Sequence, residues 1–203
     1  MLTQLLISLG QFSIQVILFL GYPGILILMA MESMIVPLPS ELVMPFAGFL
    51  ISEARFTFLG VLIASSLGSL FGSILSYYIG KHLGRPIIIR YGRYFLLNEQ
   101  HLEITDRFFA KKGEKAVLIS RFIPVVRHLI SIPAGIARMN IKKFAAYTLI
   151  GAAIWNMFLA FLGFKLKNHW DLIHSFSKEL DILVIIILII VIIYFAVKRF
   201  RKK

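Results

Sequence analysis

The chain has 203 residues, 59% of them hydrophobic, with a mean hydropathy of +0.85 and a formal net charge of +12. A soluble domain of this size is about half apolar, so the composition is that of an integral membrane protein, with no soluble domain to carry the basic charge to a nucleic acid. There are no cysteines, which excludes disulfides and any Cys-ligated metal.

The N-terminus lacks the basic region and small-residue cleavage site of a signal peptide, so membrane targeting falls to the spans themselves. Gln4, Ser8, Gln11 and Gln15 recur at helical spacing opposite Leu2, Leu5, Leu6 and Leu9, which predicts an interfacial helix. The apolar stretch Ile25–Ile51 follows, interrupted by Glu32, Pro37, Pro39, Glu41 and Pro45. Proline removes a backbone donor, and broken backbone at membrane depth needs protein or a watery cavity to cover it. The stretch therefore reads as a re-entrant helical hairpin.

Phe56–Gly80 contains no charge and reads as a full span. It carries Ser65, Ser69, Gly72, Ser73, Ser76 and Gly80 at three- and four-residue steps, with Gly68 and Gly72 as a GxxxG, which reads as a packing face. In the basic connector that follows, Asn98 is the expected N-cap and Gly113 the expected stop of a second interfacial helix, whose less polar face is Leu102, Thr105, Phe108 and Phe109.

Ala116–Ala137 is again apolar but interrupted, by Arg121, Pro124, Arg127 and Pro133, and reads as a second hairpin. Phe144–Phe164 is an uncharged span, and Ile182–Val197, within a helix expected over 180–199, is a third. The expected fold is thus an all-α polytopic membrane domain over 1–203. Repeat one covers 1–80. The connector and repeat two cover 81–164, and the C-terminal helix is an added anchor. Each repeat runs interfacial helix, hairpin, span, and the hairpins end alike in Pro45–Phe49 and Ile132–Ile136.

Residues 81–115 hold eight Lys/Arg against four Asp/Glu, and Arg138, Lys142, Lys143 and the tail Lys198–Lys203 add more. The loops around Glu53 and Arg55, and over 165–181, are balanced. The positive-inside rule places the basic segments, and so the C-terminus, in the cytoplasm facing anionic lipids. The two repeats then have opposite orientation, an architecture found in transporters.

Glu32, Glu41, Arg121 and Arg127 are the charges inside the hairpins. A charge at membrane depth costs roughly 3 kcal/mol on the insertion scale, so such residues usually face a cavity or a partner. Arginine presents a planar donor fork suited to phosphate, and a glutamate that separates from an arginine can exchange a proton. Arg121 and Arg127 are the candidate substrate-binding residues, Glu32 and Glu41 the candidate proton-coupling residues. The competing reading is a structural ion pair, or side chains that snorkel to the interface; for Glu41 the sequence leaves both a buried and an interfacial position open.

His82, His101, His128, His169 and His174 show no metal-ligand spacing, so no metal or other cofactor is expected. No P-loop and no GxSxG occurs. The stretch Ser120–His128 approaches the Ser-Arg-x5-His motif of membrane lipid phosphatases, but its histidine comes one residue late. An enzyme is therefore not expected.

The segments Glu32–Glu41, Tyr77–Arg85, Arg121–Arg127, Ile132–Met139 and Gly151–Trp155 resemble, in order, the DedA family of bacterial inner-membrane proteins, within the wider group of VTT-domain proteins. The resemblance implies lipid translocation: undecaprenyl phosphate first, phosphatidylethanolamine as the alternative, with proton-motive force involved. A lipid phosphatase and a non-transporting scaffold are the remaining readings. The family's important acids and arginines fall on Glu32, Arg121 and Arg127. Many members carry a further acid in the span after the first hairpin, where this chain has Ser73, so no acid there is expected to act.

Overall fold

The computed structural model describes residues 2–34, 40–84, 86 and 99–166, all but Leu166 within the unit Met1–Lys165. Every regular element among them is helical: α1 Leu2–Leu20, α2 Tyr22–Glu32, α3 Ser40–Ser52, α4 Phe58–Ile79 with a π-helical turn Gly80–Gly84, α5 Glu99–Ser120, α6 Pro124–Leu129, α7 Ser131–Ile136 and α8 Ile141–Lys165. The expected C-terminal helix, Asn98, Pro37 and Pro39 lie outside the described residues.

Local chemistry sets the boundaries. Gly21 takes a positive φ of 66°, and α2 starts with a proline in its first turn, where a missing N–H costs nothing. Thr57 caps α4 by accepting from the Gly60 N–H at 3.1 Å, and the Tyr22 hydroxyl accepts from the Thr57 N–H at 2.9 Å. Two residues past the ends of both α3 and α7 stands a non-glycine residue in the left-handed region, Ala54 (φ 56°) and Arg138 (φ 52°).

Two elements differ from the sequence expectation. Gly113 does not stop a helix: α5 runs through it to Ser120, joining the amphipathic segment to the start of the apolar stretch Ala116–Ala137. An interior glycine costs only about 1 kcal/mol, which the packing of α5 on α7 and α8 offsets. Pro45 lies inside α3 without ending it. It deprives the Glu41 carbonyl of its intrahelical donor.

Among the described residues, two helices are long and apolar enough to cross a membrane, Phe58–Gly84 with 27 residues and Ile141–Lys165 with 25. Their polarity is inside out. Leu59, Ile63, Leu67, Phe71 and Leu75 run down the exposed face of α4, while Ser65, Ser66, Ser69, Ser73 and Ser76 are buried. That arrangement suits an apolar surrounding medium.

The helices on either side divide between α4 and α8. α2 packs on α4 and α5 on α8, whereas α3 packs on α8 and α7 on α4. The crossings use glycines reciprocally. A Cβ on Gly48 would strike the Ala160 carbonyl, and one on Gly163 the Pro45 carbonyl. At the other crossing, a Cβ on Gly135 would strike the Tyr77 carbonyl and one on Gly80 the Ile132 carbonyl. Two apolar cores result, one around Ile25, Met29, Met44 and Leu159, the other around Tyr77, Val117, Ala134 and Phe144.

Candidate functional site

The four charges singled out in the sequence separate into a cluster of three and one arginine set apart. Glu32 is the last residue of α2 and Glu41 the second of α3. Ser120 closes α5, its hydroxyl donating to the Val117 carbonyl at 2.7 Å. Pro124 disfavours helix at the residue before it; Ile123 is accordingly extended and α6 restarts at Pro124. This break puts Arg121 in the turn and Arg127 in the short helix behind it.

Arg127 is 6% exposed and Glu32 4%. Its Nη2 donates to Glu32 Oε1 at 2.9 Å, Glu41 Oε1 at 2.7 Å and Ser40 Oγ at 2.6 Å. The Ser40 N–H donates to the same Glu32 oxygen at 3.0 Å. The guanidinium also lies 5.4 Å from the ring centre of Trp155, a cation–π distance. Of the two acids, Glu32 is enclosed, while the Glu41 side chain is 33% exposed, so Glu41 takes a part-buried position between the two the sequence allows.

Arg121 is as deeply buried, at 4%, but has no described carboxylate within 4.0 Å. Its Nη2 donates to Thr148 Oγ1 at 2.9 Å and, more weakly, to Ser131 Oγ at 3.5 Å, and its Nη1 donates to the Arg127 carbonyl at 3.3 Å. Its Nε has no described acceptor. Gly151 makes the room, since a Cβ there would lie 2.8 Å from Arg121 Cγ. A buried guanidinium held by neutral groups retains an unbalanced positive charge, which favours an anion beside it.

Both arginines line one small cavity of about 20 Å³, with Glu32, Ser69, Trp155 and Asn156. That is space for about one water molecule. The Asn156 amide donates to Ser69 Oγ at 3.3 Å across the cavity wall. His128 Nδ1 is 3.1 Å from the Glu32 carbonyl. Among the described residues, no three His, Cys, Asp or Glu side chains stand together as a metal site.

Ser40, Thr148, Trp155 and Asn156 are not singled out as site residues in the sequence, and Ser69, read there as part of a packing face, lines the cavity. A signal exists for two of them: Thr148 and Asn156 stand out as hydrogen-bonding side chains in the otherwise apolar Phe144–Phe164.

The VTT domain model matches residues 38–165. The chain is 38% identical over 181 residues to undecaprenyl phosphate transporter A of Bacillus subtilis, covering 89% of each chain. It is 34% identical over 191 residues to the Staphylococcus aureus protein of the same name, covering 90% of this chain and 92% of that one. An alkaline phosphatase-like protein of Lactococcus lactis is 34% identical over 199 residues, with 94% and 93% covered. No solved structure matches.

Proposed function

The chain belongs to the VTT-domain family, the DedA family of membrane proteins, and on that premise we propose that it carries a phosphate-bearing lipid, undecaprenyl phosphate before others, between the leaflets of a bacterial cell membrane. The observation that carries the proposal is the buried Arg127, tied to Glu32 and Glu41, beside the uncompensated Arg121. Phosphate and carboxylate compete for the same guanidinium donors. Protonating the two acids removes their hold on Arg127 and frees it for the phosphate, while Arg121 supplies a second positive charge. Deprotonation reclaims Arg127 and expels the phosphate. Lipid and proton therefore occupy the site together, and the coupling follows from competition for one side chain.

The cavity is too small for a phosphate head group as it stands, so loading requires the arms to part. We read the fold as an inverted pair of re-entrant hairpins. The exchange of second arms between spans and the reciprocal glycines at both crossings support this. So does the sequence register: one offset carries Ser33 to Ser120, Pro37 to Pro124 and Ala47-Gly48 to Ala134-Gly135. That offset also carries Ser40 to Arg127, which are hydrogen-bonded, as expected of residues beside a pseudo-twofold axis.

The phosphatase name of the Lactococcus relative raises hydrolysis as a second reading. The hydroxyls nearest the arginines, those of Ser40, Ser131 and Thr148, each accept from a guanidinium, an arrangement that supports positioning over nucleophilic attack. Leaflet exchange of labelled undecaprenyl phosphate in liposomes tests the transport reading. Exchange should exceed that of phosphatidylethanolamine, respond to a pH gradient and release no inorganic phosphate. Equal rates for both lipids, or phosphate release, would overturn it.

A further inference from the structure

Beside the polar cavity lies a second, apolar hollow of about 280 Å³, lined by Ala30, Met34, Phe71, Gly72, Leu75 and Tyr78. It exists because α2 stops at Glu32 while α4 continues to Ile79, leaving that part of α4 without α2 as a neighbour. Phe71, Leu75 and Tyr78 are 61, 48 and 40% exposed. The two hollows back onto each other: Ser33 and Ser69 line the polar one, Met34 and Gly72 the apolar one. Gly72 lies directly against the Ala30 carbonyl, which brings α4 close to the last turn of α2 at this point.

We propose that this groove seats a hydrocarbon chain of the transported lipid while its phosphate lies at Arg121 and Arg127, the molecule bending round the end of α2. The inference rests on the phosphate-lipid reading above. The groove faces outward on a helix whose exposed surface is apolar, so its occupant comes from the bilayer. Consecutive residues, Ser33 and Met34, line the head-group cavity and the groove respectively, which favours the transported molecule over a bystander as that occupant. A second copy of the chain is a poorer fit. The GxxxG face that draws helices together is already used, Gly68 meeting the Leu26 carbonyl and Gly72 that of Ala30.

The test compares undecaprenyl phosphate with the short, soluble prenyl phosphate, both binding to the full chain in nanodiscs. Leu75→Trp fills the groove from its exposed side, and Phe71→Ala removes one wall. Each should weaken undecaprenyl phosphate binding by roughly tenfold, equivalent to about 1.4 kcal/mol, and leave prenyl phosphate binding as in the wild type. Ile63→Trp, on the exposed face of α4 outside the groove, should change neither. If Leu75→Trp and Phe71→Ala leave both ligands unchanged, or weaken both equally, the groove holds only bystander lipid and the proposal is overturned while the phosphate site stands. If the wild type binds neither phosphate, the underlying reading is overturned and the proposal with it.

Discussion

Arg127 and Glu32 stand 95 residues apart in the chain and 2.9 Å apart in space, both almost fully buried. Taking two such charges out of water costs several kcal/mol each, which the attraction between them offsets only with good geometry and further hydrogen bonds. Here the further bonds come from Ser40, whose N–H serves Glu32 and whose hydroxyl serves Arg127. Glu32, Ser40 and Glu41 come from α2 and α3 and Arg127 from α6, so the three contacts to Arg127 break together if these elements part.

Removing one partner strands the other. Arg127→Met leaves Glu32 buried beside no cation, and should lower stability by about 3–5 kcal/mol. Adding Glu32→Gln should recover a large part of that loss. Thermal unfolding in detergent checks both. Transport should stay absent in the rescued double variant, which separates the structural role of the pair from its role at the phosphate.

Thr148→Val keeps the shape of the side chain but takes the acceptor from Arg121 Nη2. An unsatisfied buried donor costs about 1–3 kcal/mol. Unfolding temperature should fall accordingly. Phosphate-lipid affinity, measured by titration, should fall with it as Arg121 loses its aim. Unchanged affinity with lowered stability would make Thr148 a packing residue only.

The reciprocal crossings predict matched steric sensitivity. Gly48→Ala and Gly135→Ala each drive a methyl into a backbone carbonyl of the opposing span, and overpacking of this kind typically costs about 1–3 kcal/mol. Both should lower the unfolding temperature by similar amounts. Gly10→Ala, whose new Cβ would sit 3.4 Å from Leu42 Cδ1, should be close to neutral.

Protonation is the proposed loading signal, so its sign can be set. At high pH, ionised Glu32 and Glu41 hold Arg127, and phosphate-lipid binding should be weakest. Binding should strengthen as pH falls and the acids become neutral. Glu32→Gln with Glu41→Gln imitates the protonated pair, and should bind tightly with little dependence on pH. Titrations at a series of pH values distinguish the two behaviours.

Glu32, Arg121 and Arg127 are legible in the sequence because a charge inside an apolar run has no inexpensive place to go. The two spans are legible because their runs are long and uncharged. Ser40, Thr148 and Asn156 are not, since a hydroxyl or amide in an apolar helix does not reveal which neighbour it faces until the helices are packed. Nor does a single pattern tell that Arg127 takes both carboxylates while Arg121 takes none; contacts spanning 86 and 95 residues decide that. Gly113 misleads because a single interior glycine costs a helix only about 1 kcal/mol, which tertiary packing overrides.

The handover of Arg127 from carboxylate to phosphate is tested most directly by counting protons. Titration calorimetry of undecaprenyl phosphate binding near neutral pH, repeated in buffers of different ionisation enthalpy, gives the protons exchanged on binding. Net proton uptake by the wild type that disappears when Glu32 and Glu41 are both glutamine is the predicted result; identical proton exchange in the two proteins would contradict the account.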